Sequence, residues 1–150
     1  REALPAARVI GVDFSAGMLA EAVRRAPAGA WLRGDALRLP IAAARVDAIV
    51  STEAFHWFPD QAAALAEMRR VLVPGGVVLL ALVNVANDAV SAVTGLASRA
   101  FGQPLAWPTR ARMRALVAAA GFEVVAQRRI VRVPAGVLLP PILTIGARTV

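Results

Sequence analysis

The chain has no cysteine, no lysine and a single histidine, His56. Without cysteine it can form neither a disulfide nor a thiolate metal site, and one histidine excludes a histidine cluster. We therefore predict no metal. Because lysine is absent, all 17 basic side chains are arginines, and they give a net charge of +7.

Long apolar runs are also absent, although 58% of the residues are hydrophobic. The longest unbroken run, residues 77–83, is far shorter than the ~20 residues that a membrane-spanning helix needs. The tail around Val137 is interrupted by Pro140 and Pro141. No transmembrane segment is predicted, no signal peptide is recognised, and the expected location is the cytoplasm.

The positive charge is spread along the chain rather than gathered in one basic patch. The two local concentrations, residues 110–114 and 128–132, carry no interleaved aromatic side chains. A nucleic-acid surface usually combines clustered cations with aromatic stacking groups. Scattered solvated arginines are the favoured interpretation, and nucleic acid is an unlikely partner.

Apolar strand patterns alternate with helical ones throughout the chain, which is typical of an α/β fold. Strands are predicted at residues 8–12 (closed by Asp13), 30–33, 46–51, 77–83, 122–133 and 142–150. Helices are predicted between Ser15 and Pro27, at 61–72, at about 87–100 and at 109–120. Ser15 and Thr109 are the expected N-caps, and Gly121 is the expected C-terminal stop of the last helix. Pro74-Gly75-Gly76 is expected to form a tight turn into the strand 77–83, with glycine accepting a positive φ. We expect one domain over residues 1–150 with a Rossmann-like, doubly wound, mostly parallel sheet and helices on both faces. Residues 46–51 are expected to be buried on both faces, and the segment from about 85 to 108 is weakly patterned.

Asp13 closes the first apolar strand, and little of the chain precedes it. In nucleotide-binding α/β sheets, an acid at the end of the second strand holds ribose hydroxyls, after a first strand and a glycine-rich turn. Residues 1–7 leave no room for either, and the chain opens on Arg rather than Met. The sequence therefore predicts a domain that is incomplete at its N-terminus.

The order of these pieces resembles the class I S-adenosylmethionine-dependent methyltransferases, in particular the small-molecule branch that includes ubiquinone and menaquinone biosynthesis enzymes. The resemblance covers nearly the whole chain. Each of its motifs is weak evidence alone, and only their order and spacing together are specific for the family. The motifs are residues 9–15 (VIGVDFS) with Met18-Leu19, 34–36 (GDA), Leu39-Pro40, 46–51 (VDAIVS), 54–57 (AFHW), 67–76 (EMRRVLVPGG) and 120–124 (AGFEV).

The resemblance implies S-adenosylmethionine as cofactor and a small, apolar methyl acceptor. It places Asp13 on the ribose hydroxyls, although an acid there could instead cap the following helix. Phe14 and Met18 would lie near the adenine or simply pack the helix on the sheet.

The resemblance also implies that residues 34–36 contact the adenine. The Asp35 carboxylate would accept from the exocyclic amine and the Ala36 N–H would donate to a ring nitrogen, with Gly34 permitting close approach. A local turn is the alternative for Asp35.

Ser51 would face the methionine part of the cofactor with its backbone carbonyl. His56 is the candidate catalytic residue, either as a general base or merely as a residue that shapes the pocket.

The chain departs from the family where the first strand and its glycine-rich loop should precede Asp13. In the family's topology that strand lies between the strands ending at Asp13 and Ser51. We therefore expect the chain alone to be inactive and to bind the cofactor poorly. The alternatives are a non-catalytic Rossmann-like remnant or interaction module, a nicotinamide-dependent oxidoreductase and, on charge alone, a nucleic-acid methyltransferase.

Overall fold

A computed structural model describes residues 7–85, 87–100, 105–130 and 141–149. The strands are β1 Ile10–Asp13, β2 Ala30–Arg33, β3 Val46–Thr52, β4 Leu72–Val83, β5 Phe122–Arg129 and β6 Pro141–Arg148. The helices are α1 Ala16–Arg25, α2 Gln61–Val71, α3 Asp88–Ala100 and α4 Arg110–Ala119, and a 3-10 turn covers Phe55–Trp57.

The described strands form two sheets. β1 and β2 pair in parallel, while the other sheet has the order β3-β4-β6-β5. Its β3–β4 pairing is parallel, and β6 runs antiparallel to both β4 and β5. The predicted Rossmann-like α/β class is confirmed, but the parallel share is smaller than expected because β6 returns between β4 and β5. Among the described strands, β1 and β3 each have a partner on one edge only.

The hydrophobic core lies where α2 and α4 pack on the four-stranded sheet. Alternate residues of β4, namely Val78, Leu80 and Leu82, are fully buried, as the two-residue period of a strand requires. Helix α2 contributes Leu65 and Met68, and helix α4 contributes Met113 and Val117. The helical spacing seen in the sequence therefore selects the side chains that form the core.

The expectation that β3 is buried on both faces is wrong. None of its residues is fully buried, and Val50 is 67% exposed. The apolar run suggested a central strand covered on two sides. In the described structure β3 hydrogen-bonds to β4 alone, so one edge and the face that carries Val50 are open.

The start of β4 also differs from the prediction. The strand begins at Leu72, which pairs with Val46, and its regular ladder resumes where Val77 pairs with Ala48. The predicted Pro74-Gly75-Gly76 turn lies inside this interruption as a bulge. Gly75 has the positive φ (77°) that the turn prediction required.

The predicted caps at Ser15 and Thr109 are confirmed, and Asp60 caps a third helix that the sequence analysis left without a cap. The side chains of Ser15, Asp60 and Thr109 accept hydrogen bonds from the backbone N–H groups of Met18, Ala63 and Arg112. Gly121 ends α4 with a φ of 82°. The final strands are shorter than predicted, ending at Arg129 and Arg148, and residues 131–133 and 150 lie outside the described residues.

Residues 39–45 link the segment that follows β2 to helix α2. The Glu67 carboxylate accepts from the Leu39 N–H at 3.0 Å, and Arg70 Nη2 donates to the carbonyls of Leu39 and Ile41 at 3.2 and 3.0 Å. The N–H of Ala44 donates to the Arg70 carbonyl at 2.9 Å. These bonds fix the position of the loop after β2 relative to the four-stranded sheet.

In the ranges that the structure describes, no helix has the length and apolarity required to span a membrane. Within the same ranges, no three potential metal-ligating side chains come together.

Candidate ligand site at the carboxyl ends of the strands

The carboxyl ends of β1 and β2 bring Asp13 next to residues 34–36. Asp13 pairs with Arg33 in the parallel register, and the Gly34 N–H donates to the Asp13 carbonyl at 3.0 Å. A Cβ on Gly34 would lie 2.5 Å from Pro40 Cδ and 2.9 Å from Val12 Cγ1. The site therefore requires glycine at this position for reasons of space.

The half-buried Asp13 carboxylate organises the entry into α1. Its Oδ1 accepts from the Ser15 N–H at 2.8 Å, while the Ser15 hydroxyl caps the helix. The alternative in which Asp13 itself caps α1 is wrong, because the N-cap is Ser15 and the Asp13 carboxylate accepts only from the Ser15 N–H among the described residues. An ionised carboxylate has about four acceptor positions, and among the described residues Oδ2 has no hydrogen-bond partner. One carboxylate oxygen of Asp13 is therefore left for a ligand.

Asp35 also forms a local turn. Its Oδ1 accepts from the Leu37 N–H at 2.9 Å, and its carbonyl accepts from the Arg38 N–H at 3.0 Å. Its side chain is exposed at the end of β2. Among the described residues, the second carboxylate oxygen of Asp35 has no hydrogen-bond partner, as in Asp13.

Phe14 and Met18 are not core residues. Phe14 is 69% exposed, with the Arg33 guanidinium carbon 6.0 Å from its ring centroid. Met18 is also largely exposed and lines a cleft of about 150 Å³ together with Asp13 and Trp31. Both side chains are thus largely exposed in the described structure, and their contact with the adenine stays a prediction.

Ser51 and His56 belong to the other sheet. Ser51 lies near the carboxyl end of β3, opposite Leu80 of β4, and its buried hydroxyl oxygen lacks a hydrogen-bond partner in the described part of the chain. His56 follows in the 3-10 turn. The sequence-predicted residues thus form two groups on two sheets, one containing Asp13, Met18 and residues 34–36, the other containing Ser51 and His56.

His56 is 6% exposed, and its ring contacts two tryptophans. Its centroid is 5.4 Å from that of Trp57 and 5.5 Å from that of Trp107. Burial lowers the pKa of His56, and the nearby charge of Glu53 offsets part of that effect. The imidazole is therefore neutral at pH 7, with a buried Nδ1 that has no partner among the described residues.

Sequence reasoning missed Asn84, which follows β4 directly. The residue is 2% exposed, and its Nδ2 donates to the Pro108 carbonyl at 2.8 Å. Its Oδ1 is buried without a partner in the described ranges. The sequence did contain a signal for Asn84, because it is a polar residue immediately after the apolar run 77–83. The same criterion, a polar residue at the end of a strand, singled out Asp13 and Ser51.

Glu53 was also missed, and the sequence gives no local signal for it. It has a left-handed φ of 51°, a conformation that costs a non-glycine residue about 1–2 kcal/mol. Its N–H donates to the Ala81 carbonyl at 2.8 Å. The bend places Glu53 between β3 and the turn that carries His56.

Polar groups at the carboxyl ends of neighbouring parallel strands are typical of Rossmann-like domains. A family model described as "Methyltransferase domain" matches residues 1–80. The chain belongs to this methyltransferase family.

Two curated relatives support the assignment. Residues of the chain are 44% identical to trans-aconitate 2-methyltransferase of Azoarcus sp. (strain BH72) over 79 residues, covering 53% of this chain and 31% of that protein. They are 35% identical to demethylmenaquinone methyltransferase of Thermus thermophilus over 148 residues, covering 83% of this chain and 67% of that protein. The chain thus spans between about a third and two thirds of the length of these two relatives.

The fold also resembles a Haloferax volcanii protein solved in complex with the Trm112 methyltransferase activator. The TM-score is 0.79 at 23% identity, covering 99% of this chain and 77% of that one. At this identity the likeness supports the fold alone.

Proposed function

We propose that this domain serves the transfer of a methyl group from S-adenosylmethionine to a small, apolar acceptor. The observation that carries the proposal is the juxtaposition of Asp13 with residues 34–36 at adjacent strand ends. Family membership and the names of the two curated relatives, both methyltransferases, support the same reaction class.

The free carboxylate oxygen of Asp13 suits the two vicinal ribose hydroxyls, both of which are hydrogen-bond donors. Asp35 can accept from the adenine amine, and the adjacent Ala36 N–H is available to a ring nitrogen. Exposed Phe14 and Met18 offer apolar surface for the adenine faces. These residues hold the adenosine half of the cofactor.

The bound cofactor supplies an electrophilic methyl group on a sulfonium, so the protein's task is mainly alignment. We assign Ser51 to the methionine part through its backbone carbonyl. His56, neutral and buried, fits two roles: it can accept a proton from the acceptor, or it can shape the pocket between Trp57 and Trp107. Its burial and its tilted contacts with the two tryptophans favour the second role.

A titration with S-adenosylmethionine followed by the amide resonances of the chain tests the cofactor site. The assigned contacts hold the adenosine half with several groups and the methionine part with one carbonyl, so we expect a dissociation constant of about 1 mM, or about −4 kcal/mol. Resonances of Asp13, Gly34 and Ala36 should shift. Micromolar binding would contradict the expected weak affinity of this chain.

The variant Asp13→Asn separates the two roles of Asp13. Asparagine can still accept from the Ser15 N–H, so the helix entry is kept, but the charge facing the ribose is lost. We expect about tenfold weaker binding, the loss of one charge-assisted interaction. The matched control is Asp47→Asn, an exposed acid on β3. Equal effects of the two substitutions would count against the ribose assignment.

A further inference from the structure

A groove of about 400 Å³ lies between the 3-10 turn and helix α3. Phe58 and Pro59 form one wall, Leu96 and Arg99 of α3 form the other, and residues 105–106 close it. The turn follows the carboxyl end of β3 and α3 follows that of β4. The groove therefore opens on the same side of the sheet as Ser51 and His56.

Hydrogen bonds tie the walls of the groove together. The Ala106 N–H donates to the His56 carbonyl at 2.9 Å, and Gln61 Nε2 donates to the Ala106 carbonyl at 2.7 Å. On the α3 side, the Leu105 N–H donates to Ser98 Oγ at 2.9 Å. Backbone and side-chain hydrogen bonds therefore hold the groove together, and its residue Ala106 is bonded directly to the backbone of His56.

The lining is apolar except at two side chains. Ser91 Oγ already donates to the Trp107 carbonyl at 2.7 Å. Arg99 remains as the one charged group among the lining residues, which include no carboxylate. In the part of the chain that the structure describes, Arg99 forms no ion pair. Leu96 on the same wall is 72% exposed.

We propose that this groove binds the acceptor, and that the acceptor is an apolar acid whose carboxylate pairs with Arg99. This inference rests on the proposed function, because it names the substrate class of that site. An apolar body covers Leu96 and Phe58, and the planar guanidinium matches a carboxylate in a bidentate geometry. A cationic acceptor is repelled, and a neutral one gains nothing from Arg99.

Three probes of equal chain length test the charge preference: hexanoate, hexanol and hexylamine. Each is titrated into the full chain without cofactor, and amide resonances of residues 91–99 and 105–106 are followed. We expect hexanoate to bind about fivefold tighter than hexanol, as for one partly exposed ion pair. Hexylamine should bind more weakly than hexanol.

The variant Arg99→Gln should remove the preference for hexanoate while leaving hexanol binding unchanged. The control Arg114→Gln makes the same substitution at an exposed position of α4, outside the groove, and should leave the preference intact. This control accounts for the general attraction of anions by a chain of net charge +7. Dispersed amide spectra of both variants establish that they are folded.

The proposal is overturned if the three probes bind equally, if both arginine variants weaken hexanoate equally, or if the shifts fall outside the groove. Absence of any binding overturns it as well. These probes are titrated without cofactor. A failure here therefore does not affect the S-adenosylmethionine titrations of the parent and of Asp13→Asn, which test the proposed function separately.

Discussion

Replacing Gly34 by alanine tests the geometry of the candidate cofactor site directly. The added Cβ would lie 2.5 Å from Pro40 Cδ and 2.9 Å from Val12 Cγ1, whereas ordinary contact begins at 3.4 Å. Neither neighbour can swing aside, because one is a closed ring and the other a β-branched side chain of β1. The loop after β2 must therefore move by roughly 1 Å away from β1, an overpacking that costs about 1–3 kcal/mol.

The matched control is Gly17→Ala on the exposed face of α1, where the nearest atom to the new Cβ is Ser15 Oγ at 3.7 Å. Alanine stabilises a helix interior by about 0.5–1 kcal/mol relative to glycine, and at Gly17, the second residue of α1, we expect a gain near or below the lower end of that range. The same chemical change should thus have opposite signs at the two positions. For a chain of this length, about 1 kcal/mol corresponds to a shift of about 2–4 °C in the thermal midpoint.

Thermal unfolding followed by circular dichroism measures both shifts. Gly34→Ala should lower the midpoint and Gly17→Ala should raise it. Gly34→Ala should also weaken S-adenosylmethionine binding, since the Ala36 N–H and the Asp35 carboxylate move with the loop. A Gly34→Ala variant that is as stable as the parent and binds the cofactor equally well would refute the argument that close packing positions this site.

Three further predictions concern the core and the pH dependence of stability. Leu80→Ala, at a fully buried position of β4, should destabilise the fold by about 2–5 kcal/mol in urea unfolding; a loss below that range would show that the sheet and α2 collapse around the cavity. Hydrogen bonding to Arg70 lowers the pKa of Glu67, so its contribution is present above the unfolded pKa and is lost as pH falls through the folded value. The difference in unfolding midpoint between the parent and Glu67→Gln should therefore shrink on acidification. The control Glu123→Gln, at an exposed position with no ion pair among the described residues, should show a smaller effect at neutral pH. A pH-independent difference contradicts the assignment. Burial lowers the pKa of His56, so the free energy of unfolding should begin to fall below about pH 6.5. His56→Gln should remove that loss when the unfolding midpoints of variant and parent are compared above and below about pH 6.5.

Elements whose determinants are local in sequence were predicted well. Ser15 and Thr109 cap helices because their hydroxyls reach a backbone N–H three residues on, and Gly121 ends α4 because glycine accepts a positive φ. The candidate site at Asp13 followed from its place at a strand end, which is also a local property. The bond from the Ser15 N–H to the Asp13 carboxylate is equally local, but the sequence suggested a cap of α1 by Asp13, and the cap is Ser15.

Properties that depend on which strands become neighbours were predicted less well. The burial of β3 was overestimated because an apolar run records the composition of a strand and not the number of its partners. The groove that contains Arg99 depends on contacts between α3 and residues 105–106, including the bond from the Leu105 N–H to Ser98. Periodicity in one helix carries no information about such a contact.

The single paired edges of β1 and β3 have a practical consequence for work with this chain. Each of these strands carries a row of main-chain donors and acceptors with no strand opposite among the described residues, and apolar side chains such as Ile10 and Val50 stand beside them. Unsatisfied strand edges act as templates that recruit other extended peptides. Protein concentration, and not temperature alone, will therefore determine whether the domain stays monodisperse. Ligand affinities should be measured in dilute samples, where association through these edges does not compete with ligand binding.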